Sequence, residues 1–222
     1  MTAIKAILFD LDDTLLSRKE ALHRFFLLVV EKGYVEPAEE DAMWQAFQEE
    51  DAKWHGHADK TDVLRIFFER YPPGDYFDDQ EYQQFWNDYF PSCYAVTDEV
   101  VDMLDTLKQQ VHTGIVTNGV TKRQQAKLSV SKLERLVDEV VISEEAGVEK
   151  PDARIFQLAL SRLNVQPHEA VFVGDDLKKD IAGSQSAGMR AVWYNPERLN
   201  NDTAINPDNE VQTWNELLRK MT

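Results

Sequence analysis

The sequence predicts an α/β fold, a doubly wound parallel sheet interrupted after its first strand by an all-helical insertion. Three observations carry that reading. The chain opens on a short apolar run that ends in an acidic cluster, Asp10-Leu11-Asp12-Asp13-Thr14. From about Ser17 to Ala95 the apolar residues recur at helical spacing, with no strand-like alternation. After Thr97, short apolar runs alternate with amphipathic helical stretches, the texture of a sheet covered by helices on both faces. The expected domains are therefore a core from 1–16 and 96–222 and an inserted helical domain from 17–95.

Ile4–Phe9 reads as a strand buried on both faces, because it is nearly continuous rather than alternating in polarity. Ser17 and Glu20 have capping-box spacing ahead of a helix whose apolar face is Leu22, Phe25, Phe26, Val29 and Val30, with Gly33 as its C-terminal stop. Pro37 suits the first turn of a second helix that buries Trp44, Phe47 and Trp54. Asp59 and Asp78 are expected N-caps of two more helices, one burying Val63, Ile66 and Phe67, the other Tyr82, Phe85, Trp86 and Tyr89. In the second half, Val100, Leu104 and Leu107 mark a helix. Strands are expected at Val111–Val116, Val140–Ile142, Ala170–Val173 and Arg190–Tyr194. Asp152 caps a helix carrying Ile155, Phe156, Ala159, Leu160 and Leu163, and Thr213 with Glu216 boxes the last helix.

Composition narrows the function. Lys plus Arg number 24 and Asp plus Glu 40, a net charge of −16 with no basic patch, so a nucleic acid polymer or an anionic membrane surface is not an expected partner. One cysteine, Cys93, excludes an internal disulfide and suits a reducing compartment. Met1–Asp10 lacks the features of a secretory leader, and the longest apolar stretch, Phe25–Val30, is far short of a membrane span. A cytoplasmic protein, monomer or homodimer, is expected. Of 23 aromatic residues, 17 lie between Phe25 and Tyr94, which reads first as core packing of the helical domain. His55-Gly56-His57 has no third ligand nearby and reads as a surface turn.

Ligands of open parallel sheets bind at the carboxyl ends of the strands. Three expected strands end there in polar clusters: Asp10/Asp12/Asp13/Thr14, Thr117/Asn118 and Asp175/Asp176, and Lys150 follows a fourth. Converging carboxylates repel unless a cation neutralises them, and a hard divalent ion such as Mg²⁺ takes carboxylate oxygens, water and phosphate. A lysine, a hydroxyl and backbone amides supply what a phosphoryl group needs.

This ordered set resembles the haloacid dehalogenase-like hydrolase superfamily. Its first motif is matched by Asp10-Leu11-Asp12-Asp13-Thr14, its second by Thr117-Asn118, its third by Lys150 and its fourth by Gly174-Asp175-Asp176 through Asp180. The helical block stands where that superfamily inserts its type I cap on a Rossmann-like core. The stretches Thr117-Asn118-Gly119 through Lys127-Leu128 and Ile142 through Pro151 are similar to the pyrimidine 5′-nucleotidase and N-acylneuraminate-9-phosphatase branch. The resemblance implies a Mg²⁺-dependent phosphatase acting on a small phosphorylated molecule, with a nucleoside monophosphate favoured. It implies Asp10 as nucleophile and Asp12 as acid and base. It places the metal on Asp10, the Asp12 main-chain carbonyl and Asp175, and the phosphoryl oxygens on Thr117, Asn118 and Lys150. Thr14 would brace the loop, with Asp176 and Asp180 acting through water or by orienting neighbours. A dehalogenase needs neither a metal nor Asp12, and a sugar phosphomutase or phosphonate hydrolase differs in its cap. A phosphoacceptor signalling domain carries its acceptor after a middle strand and has no inserted helical block.

Overall fold

Ala6–Phe9 (β1) is wholly buried because helices cover the sheet on both sides. Ala6 and Leu8 pack into an apolar cluster with Phe156 and Phe172, whereas Phe9 turns the other way and meets the Trp214 ring edge-on, centroids 6.2 Å apart. That two-sided burial is why the run does not alternate. The computed structural model describes residues 3–32, 40–54, 59–73 and 78–221; the expected features at Gly33, Pro37 and His55-Gly56-His57 lie outside them. The chain divides into two units, Met1–Ser17 with Ala95–Thr222, and Arg18–Tyr94.

The helical unit holds α1 (Arg18–Lys32), α2 (Glu40–Lys53), α3 (Thr61–Arg70) and α4 (Asp79–Tyr89), followed by a 3₁₀ turn, Phe90–Cys93. Phe25, Phe26, Phe47, Phe67 and Trp86 form its centre, with ring centroids 4.7 Å apart for Phe25–Trp86 and 5.2 Å for Phe47–Phe67. The second helix departs from expectation: it buries Met43, Ala46 and Phe47, while Trp44 and Trp54 are only half-buried. Asp78 and Glu81 form a complete capping box. Asp59 sits one residue ahead of the cap position, which Lys60 takes, yet its carboxylate still accepts from the Thr61 N–H at 2.9 Å. Asp51 is a buried carboxylate that the sequence did not flag. It accepts from Arg18 at 2.8 Å and Lys60 at 3.1 Å, and although burial opposes its charge, these cations hold it below the usual carboxylate range.

The other unit is a six-stranded sheet in the order β3-β2-β1-β4-β5-β6, every pair parallel. After β1 it comprises α5 (Asp98–Lys108), β2 (His112–Thr117), α6 (Thr121–Ser131), β3 (Glu139–Ile142), α7 (Ser143–Ala146) and α8 (Ala153–Leu163). There follow β4 (Ala170–Gly174), a π-helical turn (Leu177–Ala182), α9 (Gly183–Ser186), β5 (Arg190–Tyr194), β6 (Asn209–Val211) and α10 (Trp214–Met221). The sixth strand was not expected. Three residues, Asn-Glu-Val, carry no periodic signal, and only pairing with Val192–Tyr194 makes them a strand. Thr97 and Asp152 cap α5 and α8 with their side chains. At α10 the expected box is half made: Thr213 accepts from the Glu216 N–H, but the Glu216 carboxylate reaches the Gln212 N–H instead. The strand order reverses direction about β1, so the carboxyl ends of β1, β2 and β4 open together at the switch point where such sheets take ligands.

Candidate active site

Asp10 leaves β1 and Asp175 leaves β4, the strand hydrogen-bonded beside it. Their carboxylates and that of Asp180 each offer an oxygen within 4.8 Å of the others. Lys150, from the loop after α7, reaches between them: its buried Nζ lies 2.5 Å from Asp10 Oδ1 and 2.7 Å from Asp180 Oδ1. Burial works against the lysine's charge, but Asp10 and Asp180 more than offset it and hold Lys150 above the usual lysine range. Burial likewise pushes Asp10 well above the usual carboxylate range, against the pull of Lys150. Asp175 is pushed up to about 7, chiefly by burial and then by Asp180 and Asp13. One lysine is thus too little positive charge for three carboxylates.

Asp180 enters this cluster through local backbone geometry. In the π turn the Ile181 N–H bonds back to the Asp176 carbonyl at 3.2 Å, an added residue in the turn that swings Asp180 inward. The Asp180 carboxylate then accepts from the Asp176 N–H at 3.1 Å and lies over Gly174, where a Cβ would sit 2.4 Å from its Oδ2. Sequence reasoning kept Asp180 among the orienting residues; the fold puts it among the potential ligands. Asp176 itself caps the turn. Burial opposes its charge, but the N–H groups of Lys179 and Lys178 hold it below the usual carboxylate range. Gly174→Ala should displace Asp180 by overpacking, at a cost of about 1–3 kcal/mol. The check is a thermal melt together with a Mg²⁺ titration, and the variant should lose both stability and cation affinity.

Around the cluster the other motif residues divide the work. The Thr14 hydroxyl donates to Asp175 Oδ1 at 3.2 Å, and the Trp193 indole N–H donates to the Asp175 carbonyl at 2.9 Å. The Asn118 carboxamide is spent on Lys150. Its Nδ2 donates to the Lys150 carbonyl at 3.0 Å and its Oδ1 accepts from the Lys150 N–H at 2.8 Å, joining the β2 loop to the lysine loop. Thr117 is buried at the end of β2. The Asp12 side chain turns away from the three-carboxylate cluster towards α6, where Lys127 and Gln124 meet it.

The carboxylates suit a hard divalent cation on their own chemistry. Three acidic groups converge, and the single ammonium of Lys150, 2.5 Å from Asp10 Oδ1 and 2.7 Å from Asp180 Oδ1, leaves them under-neutralised. Stability should follow from this. Asp175 has an ordinary value of 3.8 and is raised to about 7 in the fold. Between those limits the folded chain keeps a proton that the unfolded chain has lost, so its contribution is full below about pH 4 and gone above about pH 7. A cation replaces that proton only once it has left. Mg²⁺ should therefore raise the melting temperature more at pH 8 than at pH 5.5; equal increments at both would remove this cluster as the binding site.

A family model of haloacid dehalogenase-like hydrolases matches residues 4–188. A glyceraldehyde 3-phosphate phosphatase of Methanopyrus kandleri is 35% identical over 97% of this chain and 96% of its own. The pyrimidine 5′-nucleotidase YjjG of Escherichia coli is 35% identical over 53% of this chain and 52% of its own. Among solved structures, the magnesium-bound HAD-hydrolase YfnB of Bacillus subtilis superposes with a TM-score of 0.77 at 25% identity, covering all of both chains. By the extent of these matches, and with its acidic motifs converging at the switch point of a parallel sheet, the chain belongs to the haloacid dehalogenase-like hydrolase family.

Proposed function

We propose that the protein is a Mg²⁺-dependent phosphomonoester hydrolase acting on a small phosphorylated metabolite, with a nucleoside monophosphate as the favoured class. The observation that carries the reading is a division of labour between two carboxylates. Asp10 is buried beside a lysine and two further acids, and Asp12, two residues on, points elsewhere. A dehalogenase has use for the first alone. The second supplies what an alkoxide leaving group requires, a proton.

In this mechanism an Asp10 carboxylate oxygen attacks phosphorus as the ester P–O bond breaks, and the leaving oxygen takes the Asp12 proton. Water then attacks the aspartyl-phosphate and gives its proton to Asp12, releasing phosphate and restoring the Asp10 carboxylate. Asp10, Asp175 and Asp180, with the Asp12 carbonyl, would hold the cation. Bound there, it supplies the positive charge that lets an anionic nucleophile approach an anionic phosphoryl group. Lys150 and the Thr117 hydroxyl hold phosphoryl oxygens, and Asn118 keeps Lys150 in place. Its carboxamide being occupied, Asn118 itself offers the phosphate only its backbone N–H. The helical unit is assigned to substrate selection, and the single cysteine suits a cytoplasmic setting.

The relatives support the phosphatase class while their named substrates range from a triose phosphate to nucleotides. The test is a panel of pyrimidine nucleotides, triose and sugar phosphates, sialic acid 9-phosphate and a 2-haloacid, each with Mg²⁺ and with EDTA. Mg²⁺-dependent phosphate release, highest on nucleoside monophosphates, is expected. Best turnover on triose phosphate would redirect the substrate class, and halide release without metal would overturn the reading.

A further inference from the structure

Two side chains outside the four motifs lie against the residues that this mechanism uses. Gln124 and Lys127 stand three residues apart on α6, hence on one face of the helix. Lys127 Nζ lies 2.8 Å from Asp12 Oδ1 and 2.7 Å from Asp12 Oδ2, so the ammonium grips both oxygens. Gln124 Nε2 lies 3.1 Å from Asp12 Oδ2, 2.6 Å from the Thr117 hydroxyl and 3.3 Å from the Asn118 carbonyl. A carboxylate and a carbonyl only accept, so these neighbours require the Gln124 nitrogen, not its oxygen, to face them. Gln124 is 2% exposed and the Lys127 side chain 12%, so neither contact is a solvated surface pair.

We infer that Gln124 and Lys127 are positioning residues: Lys127 fixes the Asp12 carboxylate in one orientation, and Gln124 couples Asp12 to the Thr117 hydroxyl. The inference rests on the proposed phosphatase mechanism and deepens it. An acid–base group works only within hydrogen-bond reach of the reacting oxygen, and an untethered aspartate samples several rotamers. A two-point grip by one ammonium selects among them. For Thr117 the effect is on hydrogen direction. Its oxygen accepts from Gln124 at 2.6 Å, so its single O–H proton is the one it donates; that proton now makes only a long 3.4 Å bond to the Asn118 carbonyl, which a phosphoryl oxygen, a stronger acceptor, can replace. One amide thus links the proton-transfer residue after β1 to the phosphoryl-binding residue at the end of β2, 105 positions along the chain from Asp12.

The test separates positioning from folding by its dependence on the leaving group. kcat/KM is measured for an alkyl phosphate and for p-nitrophenyl phosphate in wild type, Lys127→Met, Lys127→Arg, Asp12→Ala, the Asp12→Ala/Lys127→Met double variant and Gln124→Met. Thermal melts with and without Mg²⁺ serve as the independent readout of fold and cation binding. General acid catalysis contributes about 10²–10⁴-fold, and a phenolate leaving group needs less of it. Lys127→Met should therefore lose at least about tenfold more on the alkyl ester than on the aryl ester, with the Mg²⁺-induced melting shift retained. Lys127→Arg should restore most of the alkyl activity. In the double variant Lys127→Met should add nothing to the selectivity of Asp12→Ala, because its effect runs through that carboxylate. Gln124→Met should raise KM on both substrates by about 2–10-fold, the scale of one lost hydrogen bond. Equal losses on both esters in Lys127→Met, or full additivity in the double variant, overturn the inference and leave the phosphatase reading standing. A wild type inert towards every phosphate ester overturns the reading itself, and the inference with it.

Discussion

Replacing Lys150 with methionine should destabilise the protein by about 3–5 kcal/mol at pH 8, the scale of removing one partner from a buried ion pair. Its ammonium is the cation lying between Asp10 and Asp180, and its removal leaves those carboxylates facing each other and Asp175 in a buried site. For a chain of this length that corresponds to a fall in melting temperature on the order of 10 °C. The loss should shrink at pH 5.5, because Asp175, pushed up to about 7, takes up a proton there and relieves part of the repulsion. Mg²⁺ should recover part of it at pH 8 by supplying the missing charge. Melts at both pH values, with and without the cation, decide the matter. A variant within about 2 °C of wild type at pH 8 would show that Lys150 does not neutralise the cluster.

Asp10→Asn should abolish phosphate release, a loss beyond about 10³-fold, while the chain stays folded. An amide is nearly the shape of a carboxylate but does not attack phosphorus, and Lys150 retains Asp180 as its partner. The measurement pairs turnover with acid-quenched mass spectrometry. Wild type should show transient phosphorylation in the Asp10 peptide, and the variant none. Turnover within tenfold of wild type, with deamidation excluded by the intact mass, would take the nucleophilic role from Asp10.

The architecture was legible in the sequence because each of its signals is local. A strand buried on both faces has to be nearly all apolar, as Ala6–Phe9 and Ala170–Gly174 are. Polar residues at the carboxyl ends of such strands mark the ligand edge of the sheet, which is how Asp10, Thr117 and Asp175 stood out. Helix starts were readable where a capping side chain sits next to the turn it satisfies, as at Asp78 and Asp152. What remained hidden is non-local. The three-residue strand Asn209–Val211 exists only through its neighbour. Asp180 joins the carboxylate cluster because a π turn redirects it and Gly174 leaves room for it. Asn118 has its carboxamide taken up by a backbone 32 positions away. Gln124 and Lys127 look in sequence like two polar residues of an ordinary exposed helix, and only the parallel packing of β1 beside β2 sets α6 against Asp12, 112 and 115 positions back. Hydrophobic period and capping chemistry act within a turn or a strand, so the sequence alone determined the first five strands, the helices between them and the edge where the chemistry sits. Which polar groups meet there depends on strand order and close backbone approach, which tertiary structure alone decided.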